Sequence, residues 1–175
     1  SAVAADSPAR QKQVLIMMSS HNSAAKTELL EKAAADQPFN LVHLSLKDKS
    51  LEQVAGAWKK ADLLLMDGIN PALSKFIFGK YKELPAQFPA LKMISLGDLE
   101  NPVFNQNIDK AQHQRLGEYF SNAGRKNYRN MMAYISSEVL ALGEQAVEAP
   151  VDVPLTGLYH PNFVDGVSAD EQRFF

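Results

Sequence analysis

The chain has 175 residues, 46% of them hydrophobic, which is enough for one well-buried core and at most a short extension. Its 18 basic and 20 acidic residues nearly cancel, and "RKNYR" at residues 125–129 is the only basic cluster, so the composition argues against nucleic-acid binding. No cysteine is present, which excludes disulfides and thiolate sites, and no apolar run reaches the roughly 20 residues needed for a transmembrane segment.

The first twelve residues, "SAVAADSPARQK", are small, polar and proline-containing. This composition predicts a disordered lead-in at residues 1–12. The Ala-rich start is also typical of what remains after a signal peptide is cleaved, which would place the protein in the periplasm. A trimmed chain end has the same composition, so the compartment stays open.

Four apolar runs alternate with segments of helical spacing between residues 13 and 98. The runs are "QVLIMMSS", "FNLVHLSL", "ADLLLMDG" and "ALKMISLGD", each typical of a strand that is buried on both faces. Ser50 and Gln53 predict a capping box for the second helix, and Asn70-Pro71 starts the third. The order predicts an α/β fold with a Rossmann- or flavodoxin-like parallel sheet and helices on both faces.

Two more helices are predicted after the fourth strand, at about residues 109–123 and 126–142, and they form a helical hairpin. Gly124 is placed between them as a C-terminal cap. A linker composition follows, and "LTGLY" at residues 155–159 predicts a short extra strand. The predicted organisation has three parts: the lead-in at 1–12, an α/β domain with its C-terminal helical hairpin at 13–145, and a linker with the start of a next domain at 146–175.

Polar residues follow the predicted strands at the carboxyl edge of the sheet, where open α/β folds bind ligands. The candidate ligand-binding residues there are His21, Asn22, Asp67 and Asn70. They suit a small anion or polar ligand, but residues of these types also gather at such turns because they cap and turn well. Neither a dinucleotide fingerprint nor a P-loop motif is present, so the sequence supports neither cofactor.

The histidines give no sign of a catalytic or metal site. His21, His43, His113 and His160 stand apart, without the i, i+4 spacing of a helical zinc pair. We expect His43 to be a satisfied strand residue and His113 to lie on a helix surface. His21 and His160 follow strand ends and are the two functional candidates.

The last predicted helix begins with "GRKNYRNMMAY", in which an exposed Gly-Arg step precedes Asn127 and Asn130. Such a start either caps the helix and binds a ligand, or only caps it. Arg125 and Asn127 are therefore further candidate ligand-binding residues.

Two motifs stand out in the last third of the chain. Gly124, Asn127, Asn130 and Tyr134 match a Gly-x-x-Asn-x-x-Asn helix, and residues 157–161 match a G-[IL]-Y-H-P turn. With these motifs the chain resembles the large subunit of the cobalt- and magnesium-chelatase (CobN-like) family. Their order and short separation fit the family, whereas the first hundred residues resemble it only in architecture.

The resemblance implies that the chain is an N-terminal fragment of a ligase-type chelatase that inserts cobalt or magnesium into a corrin or porphyrin. It implies that the large subunit binds the tetrapyrrole and that separate AAA+ subunits hydrolyse ATP. The implied partners are the rest of the large subunit, the AAA+ subunits, and a porphyrin or corrinoid. This segment would help to enclose the substrate or act as a scaffold, would not be catalytic alone and would hold no cofactor itself. The family default is the cytoplasm.

The resemblance also gives roles to several residues of this chain. Tyr159 and His160 would shape a junction with the next domain, and Asn162 stands where the family has an acidic residue, which leaves the metal and the tetrapyrrole open. The walls and cations for a tetrapyrrole would come from Phe104, Tyr119, Tyr128, Arg125 and Arg129, although core packing also explains the aromatic residues. Two other functions stay open: a flavodoxin-like ligand-binding or sensing module, and a chelatase-like protein that handles haem or cobalamin.

Overall fold

The computed structural model describes residues 10–18, 24–67, 79–96 and 104–152. Four strands in these ranges form one parallel sheet in the order β2-β1-β3-β4. The strands are β1 (Lys12–Met18), β2 (Phe39–Ser45), β3 (Leu63–Asp67) and β4 (Lys92–Leu96). The predicted α/β class with a parallel sheet is confirmed.

Helices cover both faces of the sheet, which explains why the central strands are apolar on both sides. One face carries α1 (Ala24–Ala34), α3 (Lys110–Asn122) and α4 (Gly124–Tyr134), whose core residues pack with Val14 and Leu65. The other face carries α2 (Leu51–Trp58) and residues 79–91, which pack with Leu15 and Met66.

Local sequence signals set the helix starts as predicted. Gln53 N–H donates to Ser50 Oγ at 3.1 Å, and Ser50 N–H donates to Gln53 Oε1 at 2.9 Å, which together form the predicted capping box. Asp109 caps α3 by accepting from Gln112 N–H at 2.7 Å, so this helix begins one residue later than predicted.

The last helix differs from its prediction, which ran unbroken to residue 142. The α-helical part, α4, ends at Tyr134, and a π-helical turn follows directly at Ile135–Val139. At the end of this turn Leu140 N–H donates to Ile135 O at 2.8 Å. Ser137 Oγ donates to Ala133 O at 2.9 Å, which gives this carbonyl a side-chain partner within the turn.

Several predicted segments lie partly or wholly outside the described ranges. The extra strand at 155–159 is one of them, and of the helix that starts at Asn70 only a helical turn at 79–81 is described, followed by a 3₁₀ turn at Pro85–Gln87. None of the helices in the described ranges has the length and hydropathy of a bilayer-spanning segment.

Candidate functional site

Three of the eight candidate ligand-binding residues lie in the described part of the chain: Asp67, Arg125 and Asn127. The other five lie outside it: His21, Asn22, Asn70, Tyr159 and His160. The structure brings Asn127 together with the linker that follows helix α4, while Asp67 lies at the carboxyl edge of the sheet. For all eight, ligand binding stays a prediction.

Asp67 ends strand β3 and is only 3% exposed. Its Oδ2 lies 3.2 Å from Lys26 Nζ in the first turn of α1, and this ammonium also lies 4.3 Å from the centre of the Phe120 ring. A buried carboxylate without a counter-charge would be costly, and Lys26 supplies that counter-charge to Asp67. The only acidic candidate at the strand ends is therefore already held by an ion pair within the fold.

Asn127 holds the backbone of the linker. Its Nδ2 donates to Val151 O at 3.0 Å and to Ala123 O at 2.8 Å, and its Oδ1 accepts from Val151 N–H at 2.9 Å. The side chain is buried, with 3% of the residue exposed. Both donor hydrogens and one acceptor site of the amide are therefore used by main-chain groups.

Asn130, one helical turn further on, binds the same linker. Its Oδ1 accepts from Glu148 N–H at 2.9 Å, while its Nδ2 donates to Lys126 O at 3.0 Å. Tyr119 O–H donates to Glu148 O from the neighbouring helix. We call the side chains of Tyr119, Lys126, Asn127 and Asn130 the linker clamp.

Lys126 completes the linker clamp at the surface. Its Nζ lies 2.8 Å from Glu148 Oε2, and this charged hydrogen bond lowers the pKa of Glu148 below its usual range. Both side chains are mostly exposed, so water and salt screen the pair. The linker is thus held mainly by the buried amide of Asn127, with the ion pair at the rim.

The hairpin geometry explains why a glycine begins the motif. Ala123 and Gly124 have φ values of 57° and 83°, so the chain turns through the left-handed region between α3 and α4. Glycine adopts this region without the penalty that a side chain brings. The sharp turn places Tyr119 at the end of α3 and Asn127 at the start of α4 against the same stretch of linker.

Arg115 lies between two tyrosines of the hairpin. Its guanidinium carbon is 5.6 Å from the centre of the Tyr119 ring and 5.8 Å from that of Tyr134. Burial raises the pKa of both tyrosine hydroxyls above the ordinary value of 10.0, so the proton that Tyr119 donates to the linker is retained to higher pH than in an exposed tyrosine.

The linker runs back along the hairpin towards the carboxyl edge of the sheet. Gln145 Nε2 donates to Gln37 Oε1 at 2.7 Å near the end of α1, whereas Val151 is bound at the start of α4. The start of α4 lies near that edge. The Tyr128 ring of α4 is 6.3 Å from the Phe120 ring, and Phe120 contacts Lys26, the ion-pair partner of Asp67. The chain therefore leaves the described region at the end of the domain where Asp67 lies.

Arg125 is exposed on α4 and faces α1, away from the linker clamp. It lines a groove of about 280 Å³ together with Arg129, Leu29, Lys32 and Ala33. Sequence reasoning found the two arginines but missed Lys32, because its position opposite them depends on the packing of α1 against α4.

The two histidines in the described ranges differ from their predictions. His113 is buried, with 7% exposed, and its Nε2 lies 3.0 Å from Ser95 O, so it packs against β4 and not on the helix surface. His43 lies on the edge strand β2, and neither ring nitrogen has a hydrogen-bond partner in the described part of the chain. Within the same ranges no three His, Asp or Glu side chains are grouped as metal ligands.

Comparison with known proteins places the linker clamp inside a matched family segment. Residues 117–174 match the family model described as CobN/Magnesium Chelatase. Residues 117–174 are therefore CobN-like. The resemblance read from the Asn helix and the His-Pro turn is confirmed, and the CobN-like segment includes all four residues of the linker clamp.

A solved structure gives a matching fold. The chain is similar to "Catalytic Subunit of Cobaltochelatase from Mycobacterium tuberculosis", with a TM-score of 0.55 and 12% sequence identity. The match covers 87% of this chain and 12% of that subunit, so the two share a fold over a small part of the larger protein. The search of curated proteins gave no match.

Proposed function

We propose that this chain is the N-terminal domain of the large subunit of a metal chelatase that inserts cobalt or magnesium into a corrin or porphyrin at the expense of ATP. The proposal rests on one observation, the match of residues 117–174 to the CobN/Magnesium Chelatase family. The tetrapyrrole and the divalent metal are substrates of the whole protein, and AAA+ subunits supply ATP hydrolysis.

The role of this domain in that enzyme is to help enclose the substrate or to act as a scaffold, and it is not catalytic alone. The linker clamp supports the scaffold role, because it fixes the course of the linker as far as Val151. Each net hydrogen bond contributes about 1 kcal/mol, so the bonds to the linker offset part of the entropy lost when its backbone is ordered.

The flavodoxin-like alternative has less support from the described residues. It needs polar groups at the carboxyl edge that are available to a ligand, and the Asp67 carboxylate is buried against Lys26. A ligand that bound either group would have to break this ion pair, which would leave the other charge unpaired in a mostly buried position.

A spectral titration tests the proposed function. The full-length protein is mixed with a porphyrin in one series and a corrinoid in another, and the visible absorbance of the macrocycle is followed. We expect a saturable shift of the absorbance bands with one of the two, because transfer to a protein site changes the surroundings of the ring. Bands that stay unchanged with both ligands at every protein concentration would rule the proposal out.

A further inference from the structure

A groove of about 280 Å³ lies between α1 and α4, on the side of α4 that faces away from the linker. Its walls combine two apolar residues of α1, Leu29 and Ala33, with three cationic ones, Lys32, Arg125 and Arg129. Among the described residues, no acidic side chain lines it. An apolar surface bounded by cations is the pattern expected for a ligand with an apolar body and acidic groups.

Two of the three positive charges in the groove have no acidic partner among the described residues. Arg125 and Arg129 are one helical turn apart and both are exposed, and neither has a carboxylate partner in the described part of the chain. Lys32 has one partner, Glu28 at 2.8 Å, but that pair is exposed and outside the groove lining. The chain as a whole has a net charge of −2, so this local excess of positive charge is not a general property of its surface.

The packing of the two helices forces these cations together. Leu30 of α1 and Met131 and Met132 of α4 belong to one buried cluster, which fixes the helices side by side. Arg125 and Arg129 lie in the first turns of α4, where the positive end of the helix dipole adds to their charge. Mutual repulsion of these groups is relieved when an anion binds among them.

We propose that this groove binds a small organic anion that carries carboxylate or phosphate groups on an apolar body. The two guanidinium groups donate paired hydrogen bonds to the acidic groups, which is the geometry that arginine offers to carboxylate and phosphate alike. Lys32 adds a third positive charge from the opposite wall. Leu29 and Ala33 contact the apolar body. This proposal does not depend on the chelatase function.

Isothermal titration calorimetry on the full-length protein tests the groove with three probes. Benzene-1,2,4-tricarboxylate and phenyl phosphate carry an apolar ring, and inorganic phosphate does not, so the set separates carboxylate from phosphate recognition and measures the contribution of the ring. We expect at least one aromatic probe to bind more tightly than inorganic phosphate. The double variant Arg125→Gln/Arg129→Gln should lower the affinity for that probe by about tenfold or more, since it removes two charged hydrogen-bonding groups.

Matched variants separate a specific site from general surface charge. Lys59→Gln/Lys60→Gln removes two exposed cations at the end of α2, and we expect it to leave the affinity unchanged. Leu29→Ala should lower the affinity for the aromatic probe and leave the affinity for inorganic phosphate unchanged. Circular dichroism checks that each variant is folded. The proposal is overturned if no aromatic probe binds at millimolar concentration, if both double variants weaken binding equally, or if Leu29→Ala has no selective effect.

Discussion

Asn127 and Val151 are joined by two hydrogen bonds that run in opposite directions: the side-chain amide donates to Val151 O at 3.0 Å, and Val151 N–H donates back to Oδ1 at 2.9 Å. The amide therefore pairs with the linker backbone much as a neighbouring strand would. Asn130 makes a similar contact one helical turn further along the same face of α4 by accepting from Glu148 N–H. The Asn pair of the family motif thus serves, in this chain, to hold the linker.

Removing the Asn127 amide should loosen the linker. We expect Asn127→Ala to lower the free energy of unfolding by about 1–3 kcal/mol, because it leaves Val151 and Ala123 without their side-chain partner. Hydrogen exchange at Val151 and Glu148 should quicken, while exchange in β1 and β3 changes less. Urea denaturation and exchange mass spectrometry measure the two effects.

Gln114→Ala is the control for this variant. It also removes a side-chain amide from the hairpin, but its bond to Glu118 is exposed on α3, so we expect a change within about 0.5 kcal/mol. If Asn127→Ala behaves like this control and the linker amides keep their protection, the linker clamp does not hold the linker.

The two lysine–carboxylate pairs of α1 should respond very differently to mutation. Lys26→Met leaves the buried Asp67 carboxylate without its partner, and we expect it to lower the free energy of unfolding by about 2–3 kcal/mol. Adding Asp67→Asn should recover part of that loss, because the charge is then gone. Lys32→Met breaks an exposed pair with Glu28 and should have no measurable effect. Equal losses in thermal or urea denaturation for the two lysine variants would contradict this assignment.

His43 should make the domain less stable in mild acid. Burial lowers the pKa of its ring below the ordinary value of 6.5, and the Glu31 carboxylate only partly offsets this effect. The unfolded chain therefore takes up the proton at higher pH than the folded chain does, so stability falls as the pH drops below about 6.5. His43→Gln should lose less stability than the wild type between about pH 7.5 and about pH 5.5 in urea titrations. A variant with the same loss as the wild type would show that other groups set the acid sensitivity.

The centre of the sheet should be the least tolerant part of the core. Leu65 of β3 is fully buried on the sheet face that is covered by α1, α3 and α4. Leu65→Ala should therefore lower the free energy of unfolding by about 2–5 kcal/mol. Leu51→Ala removes the same side chain from a site that is 47% exposed and should cost no more than about 0.5 kcal/mol. The fluorescence of Trp58, the single and buried tryptophan, reports unfolding in both variants. Similar unfolding midpoints for Leu65→Ala and Leu51→Ala would contradict the placement of Leu65 in the centre of the core.

Features that depend on neighbouring residues were predictable from the sequence. The apolar runs of β1 and β3, the Ser50–Gln53 capping box and the glycine at the turn from α3 into α4 are all encoded within a few positions, and the structure has each of them. Each follows from burial on both faces or from backbone groups that need a partner at a helix start or a turn.

Features that depend on distant residues were not predictable. Asn127 was expected to cap or to bind a ligand, because its partner Val151 lies 24 positions away in a stretch with linker composition. The sequence predicts a surface position for His113, because nothing near it indicates that Ser95 O, on another element, accepts from its ring. Lys26 gave no local signal of its pairing with Asp67, 41 positions away. Such pairings arise from the packing of the helices on the sheet.

Metal insertion by the full-length protein, mixed with AAA+ chelatase subunits, ATP and a corrin or porphyrin, tests the central claim most directly. The absorbance of the macrocycle distinguishes its free form from its metal complex. We predict that cobalt or magnesium is inserted only when ATP is present, and that Asn127→Ala/Asn130→Ala slows insertion while the macrocycle still binds. A wild-type protein that inserts neither metal into either class of macrocycle under these conditions would contradict the account.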